Sequence, residues 1–292
     1  MTEREYQDLF ALRRERVNEA LRGMLDRSDA DAGIREAMEY SLLAGGKRIR
    51  PVLCLTAAAM AGGREEDALA CALAMECIHT YSLIHDDLPC MDDDDLRRGR
   101  PTSHVKYGEA KALLAGDALL NYAFELVLSA PAPSAERRLA AAGEIARCAG
   151  ISGMIGGQVD DVCNDCTTEE ELTRMCLGKT AALIRGALRA GCREAGGSEE
   201  LCRALTEYAD CLGLAFQMVD DVLDVVGDPE KLGKNVGSDE KDNKITFASL
   251  LGVEGCMERA RQLTDRAKAA LAPFAGSEFL CYLAEEMISR DH

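Results

Sequence analysis

The stretch "IHDDLPCMDDDDLRRGRPT", residues 84–102, sets six aspartates ahead of three arginines. A second acidic run, "QMVDDVLDVVGDPE" at 217–230, carries Asp220, Asp221 and Asp224. Carboxylates without cysteine or histidine partners are ligands for hard cations, Mg²⁺ above all where phosphate supplies the other oxygens. Asp220 and Asp224 are spaced i, i+4 and share a helix face, with Gln217 about one turn earlier on the same side. Asp92 lies six residues after Asp86, so the pair can meet only if the loop through Leu88–Met91 folds Asp92 back. Both runs close long apolar helices, where unpaired carbonyls disfavour a carboxylate by about 0.3–1 kcal/mol each. One such cluster could be a solvated helix end. Two in the same position call for a cation among the oxygens.

Basic groups flank both clusters. "GGKRIRP" places Lys47, Arg48 and Arg50 just before a helix start at Pro51, and a helix N-terminus with adjoining cations is a ready anion site. It is not a Walker loop, because GxxxxGK[ST] is absent. "LRRGRPT" supplies Arg97, Arg98 and Arg100, "LGKT" supplies Lys179 and Thr180, and "LGKNVGSDEKDNKIT" supplies Lys234 and Lys244. Each alone is ordinary surface charge. Together, beside two metal-type clusters, they fit a diphosphate bridged by Mg²⁺ and clamped by Arg and Lys. No nucleophile constellation stands out, and neither His79 nor His85 becomes a general base on spacing alone. Metal-assisted departure of diphosphate needs no side-chain nucleophile: cations stabilise the leaving charge, an apolar cavity shields the carbocation from water, and the released diphosphate can take the final proton.

The elements that must hold these groups read as helices. Ala, Leu, Glu and Arg dominate the 292 residues, no proline interrupts the chain between Pro133 and Pro229, and no alternating strand pattern is evident. Roughly ten helices are expected, in one domain over residues 1–292. Ser134 and the Thr168/Glu171 capping box mark two of the starts, and "EEELTRMCLGKTAALIRGALRAGC" carries helical periodicity. With 51 acidic against 34 basic residues, a net charge of −17 disfavours nucleic acid and anionic lipid as partners. Thirteen cysteines at irregular spacings fit reduced thiols, and "CNDC" at 163–166 lacks a second pair for a zinc site. The charged, helical N-terminus does not resemble a signal peptide, and the apolar run Val52–Ala61 is too short to span a bilayer, so a cytoplasmic location is expected.

These blocks resemble the trans-prenyltransferase (polyprenyl synthetase) family. "DDLPCMD" matches its first aspartate-rich motif with two extra residues, and "FQMVDDVLD" matches the second. "GGKRIRP", "LRRGRPT", "LGKT" and "LGKNVGSDEKDNKITF" follow in family order, over about residues 40–255. The resemblance implies an all-α, isoprenoid synthase-type bundle of helices around a deep central cavity, usually as a homodimer. It implies that Asp86 and Asp92, with Asp87 supporting, bind Mg²⁺ and an allylic diphosphate, and that Asp220 holds a further Mg²⁺ near Asp221 and Asp224, for two or three ions per site. Arg97, Lys179, Thr180, Gln217 and Lys234 would contact the allylic substrate, with Lys244 also at the substrate and Lys179 among the catalytic groups. Lys47, Arg50, His79 and Arg98 would bind isopentenyl diphosphate.

Product length turns on the helix that ends at Asp86. Ser82 lies one turn before Asp86, and Tyr81 lies five residues before it, about 7.5 Å along the axis. A tyrosine there can floor the tail pocket. With the two-residue insert, it resembles a bacterial-type farnesyl diphosphate synthase. A geranylgeranyl diphosphate synthase is the alternative within the class, and a non-catalytic prenyltransferase subunit is the alternative outside it. A class I terpene cyclase fits less well, since cyclases normally lack the second motif and the GGKRIRP block.

Overall fold

Helices make up nearly all regular structure in the computed structural model, whose described residues are 2–27, 31–163, 166–226 and 245–289. They are α1 (Glu3–Met24), α2 (Ala32–Leu42), α3 (Ile49–Met60), α4 (Glu65–Asp86), α5 (Ser103–Tyr107), α6 (Glu109–Ser129) and α7 (Ala135–Ala149). Then come α8 (Met154–Cys163), α9 (Glu169–Cys176), α10 (Ala182–Glu194), α11 (Glu199–Val226), α12 (Phe247–Leu271) and α13 (Glu278–Ser289). The all-α expectation holds.

Local signals place many of the helix ends. The Ser134 hydroxyl accepts from the Arg137 N–H at 3.4 Å, and Thr168 with Glu171 forms the capping box that starts α9. Pro51 sits in the first turn of α3, where its missing N–H costs nothing. Helix α4 stops at Asp86 with Asp87 as its cap, as Pro89 requires.

Two expectations need correction. The single helix read across "LGKT" is broken by a π-helical turn, Leu177–Ala181, between α9 and α10. Its Gly178 meets Gly157 of α8, where an added Cβ would lie 2.9 Å from the Gly157 Cα. The all-helix reading also missed a two-stranded hairpin. Strands β1 (Leu96–Arg97) and β2 (Arg100–Pro101) pair antiparallel, with Leu96 opposite Pro101. Its turn uses Arg98 (φ 54°) and Gly99 (φ 72°), the positive-φ pair that tight hairpins favour.

Helix α10 lies at the centre, against α3, α4, α7 and α11, while α4 runs along α6 and α11 along α12. Helix α3 is sealed from Val52 to Ala58, none of these residues being more than 2% exposed. Burying each of its Leu53 and Leu55 side chains contributes about 2 kcal/mol. Small residues bring the helices close: a Cβ on Gly191 of α10 would lie 2.0 Å from the Cys54 carbonyl oxygen of α3. The cysteines serve largely as small apolar residues of this kind. All are free, and Cys54, Cys71, Cys77 and Cys192 are among the fully buried ones.

Helices α4 and α6 are long and apolar enough, by length and composition, to cross a membrane. For α4 the composition reflects a core position, with 67% of its apolar window buried. For α6 only 33% is buried, and Leu113, Leu114 and Leu128 lie exposed along it.

Candidate active site

A cavity of about 540 Å³ opens between α4, α6, α8 and the π-turn. Its polar lining comes from Arg50, His79, Asp86, Gln158 and Lys179. Its apolar lining includes Tyr81, Leu113, Ile155, Val159 and Leu183. Ser82 also lines it, its hydroxyl donating to the His79 carbonyl at 2.9 Å.

Asp86 ends α4 at the rim of this cavity. The loop folds back as the spacing demanded, and the Asp92 N–H donates to the Asp86 carbonyl at 2.8 Å. Met91 N–H and Asp93 N–H both donate to the Leu88 carbonyl, closing the turn. The Asp86 carboxylate accepts from Gln158 Nε2 at 2.6 Å. Burial pushes its pKa up, as do neighbouring Asp92 and Asp161, against the pull of Lys179 and Arg97. Asp87 behaves differently. It is 3% exposed and is held by Arg97, whose Nε donates to Oδ1 at 2.6 Å while Nη2 also reaches Asp94. Burial nevertheless pushes the Asp87 carboxyl up to about 6.

The π-turn aims Lys179 and Thr180 in different directions, as π-turns at functional sites often do. Lys179 Nζ donates to Asp161 Oδ2 at 2.6 Å. Burial works against its charge, but Asp161, Asp86 and Asp92 together hold its pKa above the ordinary lysine value. The Thr180 hydroxyl donates to the Gln217 side-chain oxygen at 3.4 Å, and Gln217 Nε2 donates to Asp221 Oδ1 at 2.9 Å. The π-turn thus stands between Asp161, a neighbour of Asp86, and Asp221 of the second acidic cluster. Asp221 is also a structural cap, accepting from the Phe247 N–H at 2.8 Å where α12 begins. Asp224 is buried at 5% exposure, and Asp220 on the same helix is half-buried. Lys234 and Lys244 lie outside the described residues.

This junction depends on Gly157. A Cβ there would fall 2.1 Å from the Lys179 backbone nitrogen and 2.6 Å from the Gly178 carbonyl carbon. Alanine gains about 1 kcal/mol of helix propensity, but forcing α8 off a rigid backbone costs about 1–3 kcal/mol. Gly157→Ala is expected to lower the urea midpoint and cut turnover. An unshifted midpoint with normal activity would count against the tight crossing.

The basic groups divide into two kinds. Arg48 turns inward rather than toward the cavity. In a left-handed conformation (φ 54°), it pairs with buried Glu76 at 2.5 Å and donates to the Leu42 carbonyl at 2.7 Å and to Asn18 at 3.0 Å. Arg50 lines the cavity, and its Nε is buried without a hydrogen-bond partner. Half-buried His79 lies within the field of Arg50, Arg98, Arg97 and Arg48; burial and these charges hold its pKa well below the ordinary histidine value, so it is neutral. Arg98 reaches back from the hairpin to donate to the Gly45 carbonyl. Its guanidinium lies where a Cβ on Gly46 (φ 124°) would stand, so only glycine fits there. Lys47 is exposed and lines a neighbouring cavity with Phe10, Ile49 and Phe216.

Among the described residues, no three acidic, histidine or cysteine groups are gathered into a ready-made metal cage. The donor set nonetheless suits a hard divalent ion. Asp86 and Asp92 offer only oxygen, and Asp86 is made costly to ionise by burial and by its acidic neighbours, a cost that a cation would reduce. Mg²⁺ characteristically takes one or two carboxylates, substrate phosphates and water rather than an all-protein cage. Asp161 and Gln158 were missed in the sequence. Their i, i+3 spacing in "GGQVDD" put both on one helix face, and that was the available signal.

Three comparisons bear on this site. The family model described as polyprenyl synthetase matches residues 31–272. The chain is 47% identical over 245 residues to a chloroplastic geranylgeranyl pyrophosphate synthase of Catharanthus roseus, covering 82% of this chain and 69% of that one. It is 43% identical over 290 residues to a dimethylallyltranstransferase of Fischerella ambigua, covering 98% and 84%. The solved structure of an FPP/GFPP synthase from Zymomonas mobilis superposes with a TM-score of 0.87 at 33% identity, over 99% of this chain and 100% of that one.

Proposed function

The chain belongs to the polyprenyl synthetase family and is a prenyltransferase, and we propose that it condenses isopentenyl diphosphate with dimethylallyl or geranyl diphosphate to give farnesyl diphosphate. One observation carries the choice of product: Tyr81, 5% exposed, lines the same cavity as Asp86 and stands five residues before it on α4. A tail growing from Asp86 toward the start of α4 meets this ring after about 7.5 Å.

The chain's own groups divide the work. Arg50, Arg98 and neutral His79 receive isopentenyl diphosphate, while Lys179, Thr180 and Gln217 face the allylic diphosphate. Mg²⁺ held by Asp86 and Asp92, and further ions at Asp220, would neutralise the charge that develops on the departing diphosphate. The Lys179 ammonium, kept protonated by three carboxylates, adds a fixed donor on the same side. The apolar wall of Ile155, Val159 and Leu183 keeps water from the allylic cation. The departed diphosphate takes the final proton. The exposed apolar residues of α6 support a homodimer through that helix, and the acidic surface suits the cytoplasm.

A geranylgeranyl product is the second reading, favoured by the 47% identity to a protein so named. The test incubates the purified chain with isopentenyl diphosphate, Mg²⁺ and each allylic starter, and then sizes the products. A C15 product from wild type, lengthened to C20 or beyond in Tyr81→Ala and unchanged in Tyr81→Phe, is expected. A wild-type C20 product, or no lengthening in Tyr81→Ala, would overturn the reading. Turnover by the isolated chain excludes a non-catalytic subunit.

A further inference from the structure

The ring of Tyr81 has no polar anchor of its own, because its hydroxyl is buried without a hydrogen-bond partner. Something else must hold it against the cavity it lines. In a helix, a side chain at i+4 leans back toward the N-terminus over the residue at i. His85 stands in that relation to Tyr81. The two rings meet edge to face, with centroids 5.6 Å apart and planes at 75°. His85 is in turn fixed to the neighbouring helix. Its Nε2 lies 3.0 Å from the Leu113 carbonyl of α6 and must carry the proton to donate there. The ring fills a notch that exists only because residue 116 is glycine: a Cβ on Gly116 would lie 2.1 Å from Nε2 and 2.4 Å from Cδ2. Gly116 has no need of its freedom otherwise, since it lies inside regular α6.

We propose that His85, seated in the Gly116 notch of α6, holds the Tyr81 ring in place as the end wall of the tail pocket, which makes His85 and Gly116 positioning residues for product length. The proposal rests on the farnesyl reading above and deepens it. Tyr81 supplies bulk, His85 fixes where that bulk stands, and α6 sets the position of His85. Product length then depends on the α4–α6 spacing as well as on the residue five places before Asp86. His85 also lines the cavity beside Asp86, so total turnover is a poor readout of this role. The ratio of C20 to C15 product is the sensitive one, because it compares two fates of the same bound intermediate.

The experiment sizes products from wild type, Tyr81→Ala, His85→Ala, Gly116→Ala and the His85→Ala/Gly116→Ala double variant. His85→Ala is expected to raise the C20:C15 ratio about tenfold, the scale at which apolar pockets discriminate by size. Gly116→Ala evicts the ring and is expected to disturb product length or lose activity, and removing the ring in the double variant should return it to the His85→Ala pattern. If Tyr81→Ala lengthens the product while His85→Ala leaves the ratio within twofold, the positioning role is wrong and the farnesyl reading stands. If Tyr81→Ala changes nothing, both fall. Should Gly116→Ala fail to fold, His85→Ala alone decides.

Discussion

Asp86→Asn is expected to cut kcat by about three orders of magnitude while leaving the fold intact. Asparagine keeps the shape, and its side-chain oxygen still accepts from Gln158, which lies 2.6 Å from Asp86 Oδ1. What disappears is the charge at the rim where Asp92, Asp161 and Lys179 converge. That charge is unfavourable to the empty protein, because burial and like-charged neighbours raise the pKa of Asp86. The sign of the pH dependence follows. Between its unfolded and folded pKa values, Asp86 binds more proton in the folded state, so wild-type stability declines as pH rises through that window. Asp86→Asn is exempt. It is therefore expected to be more stable than wild type at pH 7, with the gap closing in acid. Adding Mg²⁺ with inorganic diphosphate should stabilise wild type much more than the variant. Thermal melts across pH, with and without these ligands, check the stability terms, and single-turnover assays check the rate. Retention of more than a tenth of wild-type kcat would remove Asp86 from the centre of the reaction.

The cavity shows how much of this was legible beforehand. Asp86 and Asp92 could be paired from sequence because the signals were local: Pro89 ends the helix, and a short loop has few ways to return. The caps at Ser134 and Thr168 were readable for the same reason. Arg48 and Arg50 look equivalent in "GGKRIRP", yet Arg48 turns inward to Glu76 while Arg50 faces the cavity. That outcome is decided by a partner 28 residues away. Asp221 reads as a metal ligand within "DDVLD", but the Phe247 N–H, 26 residues on, claims one of its oxygens. The π-turn was hidden because its cause, the contact of Gly178 with Gly157, joins two separate helices. Capping and periodicity act within a few residues, and the assignment of partners to buried charges is a property of the packed bundle.

The charged groups of the site fall into two sets with opposite excesses. Carboxylates crowd around Asp86, while Arg50, Arg98 and Arg48 share one acidic neighbour, Glu76. Each excess is costly alone, and in the proposed reaction a magnesium diphosphate pair with a second diphosphate would neutralise both.

Arg50→Met tests the cationic set and is expected to separate binding from stability. Burial, with Arg98 adding repulsion and Glu76 only partly compensating, pulls the Arg50 pKa down to about 10, and its Nε lacks any partner. An unsatisfied buried donor costs about 1–3 kcal/mol, and methionine can fill the same wall without one. The empty variant should therefore gain about 1 kcal/mol in urea denaturation. Its KM for isopentenyl diphosphate should rise about a hundredfold, the scale of losing a desolvated charge partner, while the KM for the allylic substrate moves little. Removing the charge also relieves His79, whose pKa is depressed by burial and then by Arg50. In wild type the unfolded chain protonates this histidine and the folded chain does not, so stability falls as pH drops through the ordinary histidine range. Arg50→Met should lose less stability across that range. A variant that is less stable than wild type, or that binds isopentenyl diphosphate normally, would show that Arg50 is a structural residue and that the anion is held elsewhere.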